Sequence, residues 1–276
     1  MPQQKRKRGR PKGFSESTGT RIQALERAMD VLEQVARADG QSLSEIAEAL
    51  EQSPATIYRI LTTFAARGML ETDPVSQQWH IGPAAFRAGN AFLRRSGMVE
   101  RARPLMRALM QETGETANLG VENAGQVLFL SQVETDQAIR AFFPPGTLSP
   151  MYASGIGKAL LAHLDPPAIE RYLARTELVR FTDSTICQPE ALRHELERIR
   201  EQGYAFDNEE KSPGMRCVAA PVFNAHGEVV GGISVSGPTA RLSLQRIRDI
   251  CELVRLRAGA LSRALGHRPA GAAPPP

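Results

Sequence analysis

Apolar residues recur at helical spacing from residue 22 onward. Ile22, Leu25, Ala28, Leu32, Val35 and Ala36 line one face, which predicts an amphipathic helix with Gly40 placed as its C-terminal cap. Leu43, Ile46, Ala47 and Leu50 mark a second, short helix. Ser42 and Glu45 stand at capping-box spacing there, and Ser44 is an equally good N-cap. Ser53-Pro54 then opens a third helix, since serine is a preferred N-cap and proline suits the first helical position. Its inner side is Ile57, Ile60, Leu61 and Phe64, and Gly68 closes it. The period then changes. Residues 69–72 and 78–81 flank a turn at Asp73-Pro74-Val75-Ser76 and read as a two-stranded hairpin ending at Gly82. Helix, short helix, turn, capped helix and hairpin is the order of a winged helix-turn-helix.

A helical stretch over residues 83–95 follows, with Phe86 and Leu93 on one face, as suits a linker that dimerises. Beyond Met98 helical and strand patterns mix. Helices are predicted over 101–111, 156–164, 190–200 and 244–265, the last long and amphipathic. Strands are predicted over 116–122 and 126–133 about the turn Asn123-Ala124-Gly125, and over 217–223 and 229–236 about residues 224–227. The expected fold class is α+β: a winged helix-turn-helix, a linker helix, and a mixed, largely antiparallel sheet with helices packed on it, similar to a GAF-type effector-binding domain. The expected division is 1–20 a disordered basic arm, 21–82 the DNA-binding domain, 83–98 the linker, 99–266 the effector-binding domain and 267–276 a disordered tail.

Composition narrows the classes. A chain of 276 residues with 42% hydrophobic and 23% charged residues is an ordinary globular chain of about two domains. No run of about 18 apolar residues marks a membrane span, and the basic N-terminus lacks the apolar core of a secretory signal. Cys187, Cys217 and Cys251 are far apart and odd in number, which predicts neither a disulfide framework nor a zinc site and fits a reducing cytoplasm. No cofactor and no metal are expected. The net charge of +4 is unevenly placed. Residues 1–21 hold Lys5, Arg6, Lys7, Arg8, Arg10, Lys12 and Arg21 against Glu16, a net of +6. Residues 22–82 hold four basic and nine acidic side chains, a net of −5.

That distribution bears on DNA. Ser53, Ala55, Thr56, Tyr58, Arg59 and Thr63 point outward from the third helix, where short hydroxyls and free N–H groups suit phosphates and Arg59 suits a guanine edge or a phosphate. An acidic reading domain needs the basic arm, or dimer avidity, to offset phosphate repulsion. The stretch Lys5 to Gly13 resembles an AT-hook with its Gly9-Arg10-Pro11 core. Pro11 keeps Arg10 extended, Gly9 lets the backbone approach closely, and flanking cations such as Arg8 track the phosphates beside a narrow A·T-rich minor groove.

Other stretches carry candidate binding chemistry. Gly155-Ile156 opens a helix whose free N–H groups and dipole favour a carboxylate. Ser234 and Ser236 are two apart on a strand and share a side. Gly155-Ile156-Gly157-Lys158 is not a phosphate loop, because the Gly-x4-Gly-Lys-Ser/Thr spacing is absent and Ala159 stands at the hydroxyl position. Cys217 with Asp207 or His226 suggests a thiol enzyme, but no resolving cysteine is close in sequence and His226 falls in a turn.

Four stretches in this order, Leu43–Phe64, Ala153–Ala162, Gly203–Glu210 and Gly214–Pro238, resemble the IclR family of bacterial transcription regulators over about residues 20–266. The resemblance implies a DNA-binding, non-enzymatic regulator, a homodimer or homotetramer on a palindromic operator, with no membrane association. Most members repress and some activate. The most similar branch represses allantoin and glyoxylate metabolism and takes glyoxylate as effector. Carried onto this sequence, that branch's effector contacts fall on the amides of Gly155 and Ile156 and on Asp207, Cys217, Ser234 and Ser236. Ile156 replaces a smaller residue there, which preserves a backbone contact but narrows the pocket. The alternatives are an activator sensing pyruvate or an aromatic acid, and a thiol enzyme on a GAF-like domain.

Overall fold

The computed structural model describes residues 22–94 and 97–268, which divide between Ala91 and Phe92 into two compact units. The arm expected at the N-terminus, with Arg8 and Arg10, lies outside the described residues, as does the chain beyond Arg268.

In the first unit α1 (Gln23–Ala36), α2 (Leu43–Ala49) and α3 (Pro54–Ala65) precede a hairpin of β1 (Leu70–Thr72) and β2 (Trp79–Ile81). Both halves of the capping box form at α2: the Glu45 N–H donates to the Ser42 hydroxyl, and the Ser42 N–H donates to the Glu45 carboxylate. Ser53 caps α3 with Pro54 at its first turn. Asp73 closes the hairpin turn by accepting from Val75 and Ser76 N–H groups, which holds its carboxyl below the usual range. Val31, Val35, Ile46, Ile57, Leu61, Leu70 and Trp79 form the core. Gly40 does not cap α1, which ends at Ala36 with Arg37 as its cap. Its positive φ of 96° instead turns the chain so that Gln41 pairs with Trp79. Helix α4 (Pro83–Arg94) spans the division between the units.

The second unit is built on a six-stranded antiparallel sheet in the order β5-β4-β3-β8-β7-β6. Its strands are β3 (Thr116–Asn123), β4 (Gln126–Val133), β5 (Leu148–Pro150), β6 (Ala205–Asn208), β7 (Met215–Phe223) and β8 (Val229–Pro238). Alternation along each strand sends neighbouring residues to opposite faces. Ala117, Leu119, Val218, Ala220, Val222, Ile233 and Val235 pack under α5 (Met98–Thr113) and α9 (Leu244–Ala264). Val127, Phe129, Ala205 and Ala219 pack under α6 (Gly155–Leu161), with α8 (Pro189–Gln202) joining that layer. Helix α7 (Pro166–Arg175) adds Ile169 and Tyr172. A bidentate ion pair from Arg241 to the buried Glu115 ties the start of β3 to the chain beyond β8.

Three elements exceed the sequence reading. β5, β6 and α7 have no counterpart among the predicted elements, and α5 begins at Met98 and carries Pro104 inside it. At the other end His267, expected to be loose, packs on Phe223 with ring centroids 5.2 Å apart.

Candidate functional site

The outward face of α3 carries the residues that the sequence placed there. Ser53, Ala55, Tyr58, Arg59 and Thr63 are exposed, and Thr56 is half-buried. All three of its serine and threonine hydroxyls are engaged locally. The Ser53 and Thr56 hydroxyls bond each other at 2.9 Å, and the Thr63 hydroxyl donates to the Arg59 carbonyl at 2.6 Å. They retain lone pairs for an N–H or water but have little proton to offer a phosphate. The Arg59 guanidinium is therefore the principal cation of this face, and the unit's acidic balance leaves it few allies.

The second candidate site lies where α6 meets the sheet. Register brings its residues into line, because residues directly opposite in antiparallel strands share a face. Asp207 on β6 faces Cys217 on β7, Cys217 faces Ser236 on β8, and Ser236 faces Thr116 on β3. The next row on that face is Ala219, Ser234, Asn118 and Gln132. Gly155 seats the start of α6 on these rows, since a Cβ there would stand 2.8 Å from the Cys217 sulfur. Ser154 caps α6 by accepting from the Gly157 N–H at 3.0 Å. All six nominated residues, Gly155, Ile156, Asp207, Cys217, Ser234 and Ser236, thus line one cavity of about 40 Å³. That is room for roughly three water molecules. Phe129 and Phe143, stacked at 4.9 Å, form another part of its wall, with Ser149 and Lys211 beside them.

Electrostatics in the cavity follow from burial. Burial pushes the Asp207 carboxyl up to about 6 against the pull of Lys158, the Glu210 N–H and Lys211. Burial, then the Asp207 charge, pushes the Cys217 thiol up to about 12 despite bonds from Ser236 and Ser234. A thiol held that high is a weak S–H donor and a poor nucleophile at neutral pH. His226 lies in the exposed β7–β8 turn, away from the cavity lining. Among the described residues no group of three or more His, Cys, Asp or Glu gathers to hold a metal, and no helix is long and apolar enough to cross a membrane.

Sequence reasoning missed two residues behind the cavity. Asn118 is fully buried, and its amide nitrogen donates to Ser234 and Ser236 at 3.4 and 3.3 Å, while Gln132 donates to its carbonyl at 2.9 Å. Because the two serine oxygens accept from Asn118, their own protons are free to point at the cavity and the Cys217 sulfur. Asn118→Leu keeps the volume but strands these partners. It should destabilise the second unit by about 1–3 kcal/mol, measured by urea unfolding. Lys158, the second, is wholly buried and does not line the cavity. No local pattern could have flagged either one, since their partners come from distant strands and helices. A larger open groove, about 1030 Å³, runs between α7 and the β3–β4 hairpin past Tyr172, Arg171 and Arg175, and none of the nominated residues lines it.

The family model for the C-terminal domain of IclR bacterial transcriptional regulators matches residues 90–263, and that for the IclR helix-turn-helix domain matches residues 24–74. The HTH-type transcriptional regulator BhcR of Paracoccus denitrificans is 54% identical, covering 97% of this chain and 98% of its own. The HTH-type transcriptional repressor AllR of Salmonella typhi is 37% identical over 96% and 97% of the two chains. An IclR homolog from Microbacterium hydrocarbonoxydans, crystallised with 4-hydroxybenzoate, superposes with a TM-score of 0.78 at 25% identity, covering 88% of this chain and 98% of that one.

Proposed function

Because this chain belongs to the IclR family of bacterial transcriptional regulators, we propose that it is a homo-oligomeric repressor released from its operator by a small α-keto acid, glyoxylate foremost, bound between α6 and the sheet. The observation that carries this reading is the row Asp207, Cys217, Ser236 enclosed with Ser234 in a cavity of about 40 Å³. Serine hydroxyls aimed into that space, with the amides of Gly155 and Ile156 at one end, suit the oxygens of a short oxo acid. Asp207, carrying a proton more readily than an ordinary carboxyl, can donate to one of them. The name of the AllR relative supports repression.

On the DNA side α3 enters the major groove, with Ser53, Ala55, Thr56, Tyr58, Arg59 and Thr63 as its contacts, while Arg8 and Arg10 of the arm lie in a flanking minor groove. Pairing of two chains is supported by exposed apolar residues on the outside of the first unit: Ile22, Leu25 and Met29 at helical spacing, and Phe86 on α4. By linkage, the effector alters DNA affinity only as far as it prefers one arrangement of the oligomer over another.

A second reading, an aromatic acid as effector, is favoured by the 4-hydroxybenzoate in the Microbacterium homolog and by the Phe129–Phe143 wall. The small free volume opposes it, since a ring would have to displace side chains. Titrating glyoxylate, pyruvate, oxalate and 4-hydroxybenzoate into protein bound to its own promoter, with mobility as the readout, separates the two. Release by glyoxylate is expected. Joint Ser234→Ala and Ser236→Ala substitution should abolish release and leave promoter affinity unchanged. Release by 4-hydroxybenzoate with no response to the oxo acids would replace the reading.

A further inference from the structure

Lys158 is an unusual residue for its place. It lies inside α6 with no exposed surface, on a helix whose Ile156, Ala159, Leu160 and Leu161 belong to a buried apolar cluster. A buried ammonium is unfavourable unless paired and hydrogen-bonded. Its Nζ donates to the Phe206 carbonyl on β6 at 2.8 Å, to Glu195 on α8 at 3.3 Å and to the Glu210 carboxylate. Two of these acceptors bracket Asp207. Phe206 immediately precedes it, and the Glu210 N–H donates to its Oδ1 at 2.8 Å. The far side of the bend is held as well. Thr182 and Thr185 donate to the carbonyls of Glu209 and Glu210, each at 2.6 Å.

We infer that Lys158 is a positioning residue for the cavity: it clamps both ends of the Phe206–Glu210 bend and so fixes where Asp207 stands when a ligand arrives. The inference deepens the effector reading and rests on it only for the ligand's identity. The charged and titratable groups around Asp207 are Lys158 from α6, Glu195 with Arg198 from α8 behind it, Glu210 and Lys211 from the chain after β6, and the neutral Cys217 thiol from β7. Glu210 is itself pushed up by burial, and its Oε2 has no hydrogen-bond partner among the described residues. Lys158 therefore divides its charge between Glu210 and Asp207.

Two substitutions should move Asp207 in opposite directions. Without the ammonium, in Lys158→Met, burial acts unopposed and Asp207 keeps its proton to higher pH. With the Glu210 carboxylate removed, in Glu210→Gln, Glu195 is the acidic partner that still shares the ammonium with Asp207, and the Asp207 midpoint falls. Ionised Asp207 repels an anionic ligand, whereas the protonated group donates to it. Glyoxylate affinity should thus weaken above the midpoint, and the breakpoint should follow each variant.

The test uses the full chain with aspartate carboxyls labelled with carbon-13. The Asp207 resonance is identified by its loss in Asp207→Asn and titrated by NMR without ligand. The expected wild-type midpoint is about 6. A rise of about one pH unit in Lys158→Met and a fall of about half a unit in Glu210→Gln are expected. Because Lys158→Met leaves the buried Glu210 carboxylate without its cation, Glu210→Gln, which is isosteric and keeps the lysine, decides the matter if the first variant does not fold. An unmoved or raised midpoint in Glu210→Gln overturns the inference. A parallel glyoxylate titration of the wild type tests the effector reading by itself. Failure to bind there leaves the ligand-free Asp207 result, for or against Lys158, intact.

Discussion

Deleting residues 1–13 should weaken promoter binding by roughly a hundredfold or more near 0.1 M salt and reduce the steepness of its salt dependence. The deleted stretch carries six cations, Lys5, Arg6, Lys7, Arg8, Arg10 and Lys12, while residues 22–82 carry a net charge of −5. Each cation that neutralises a phosphate contributes about 0.9 to the slope of log affinity against log salt, so full engagement of the six predicts a slope smaller by about 5 in the truncated protein. On the reading face itself Arg59 is the exposed cation of α3, which leaves little to replace the arm. Fluorescence anisotropy with promoter DNA over a range of salt concentrations measures both quantities. Equal slopes for the full and truncated chains would show that the arm does not touch phosphate. A larger loss on A·T-rich flanks than on G·C-rich ones is expected if Arg10 enters the minor groove, because the narrow A·T groove concentrates negative potential.

The second large effect is structural. Gly157→Ala should destabilise the second unit by about 3 kcal/mol, the upper end of the usual range for overpacking. A Cβ at Gly157 would overlap the carbonyl, Cα and carbonyl carbon of Met151. Backbone cannot rotate away as a side-chain tip can, so α6 must lift or the chain at Met151 must move. Both carry cavity residues. The neighbouring Gly155→Ala meets mainly the Cys217 sulfur, which is a softer obstacle, and should disturb the cavity more than the fold. Urea unfolding followed by circular dichroism reads the difference. The Gly157 variant should lose its second unit first while promoter affinity at low denaturant persists. A midpoint equal to wild type would mean that the close approach of α6 to Met151 is not needed.

Long periodic segments were legible in the sequence, and short or distantly paired ones were not. The capped starts of α2 and α3 followed from Ser42, Glu45, Ser53 and Pro54, and the β3–β4 hairpin from its turn, where Ala124 and Gly125 both adopt positive φ. β5 and β6, of three and four residues, are too short for a period to show. Helix α7 does carry a local signal: Asp165 caps it by accepting from the Ala168 N–H at 2.8 Å, with Pro166 in its first turn. Gly40 misled because a glycine just past a periodic run reads as a cap, whereas here a pairing across to Trp79 claims its positive φ. In the cavity, Ser234 and Ser236 could be paired from spacing within one strand. Asn118 and Lys158 could not, since each matters through groups brought beside it by tertiary structure.

The central pairing of the sheet, β3 with β8, has a consequence in time. Thr116 lies opposite Ser236, and Glu115 waits for Arg241, so the middle of the sheet cannot close until the chain through Arg241 has left the ribosome. The first unit needs only partners near in sequence and can form early. During synthesis a finished DNA-reading head therefore precedes a half-built sensor. Through that interval the β3 edge that β8 will take is unpaired and its apolar face has α5 but not α9 over it, which is the state in which exposed edges favour misassembly.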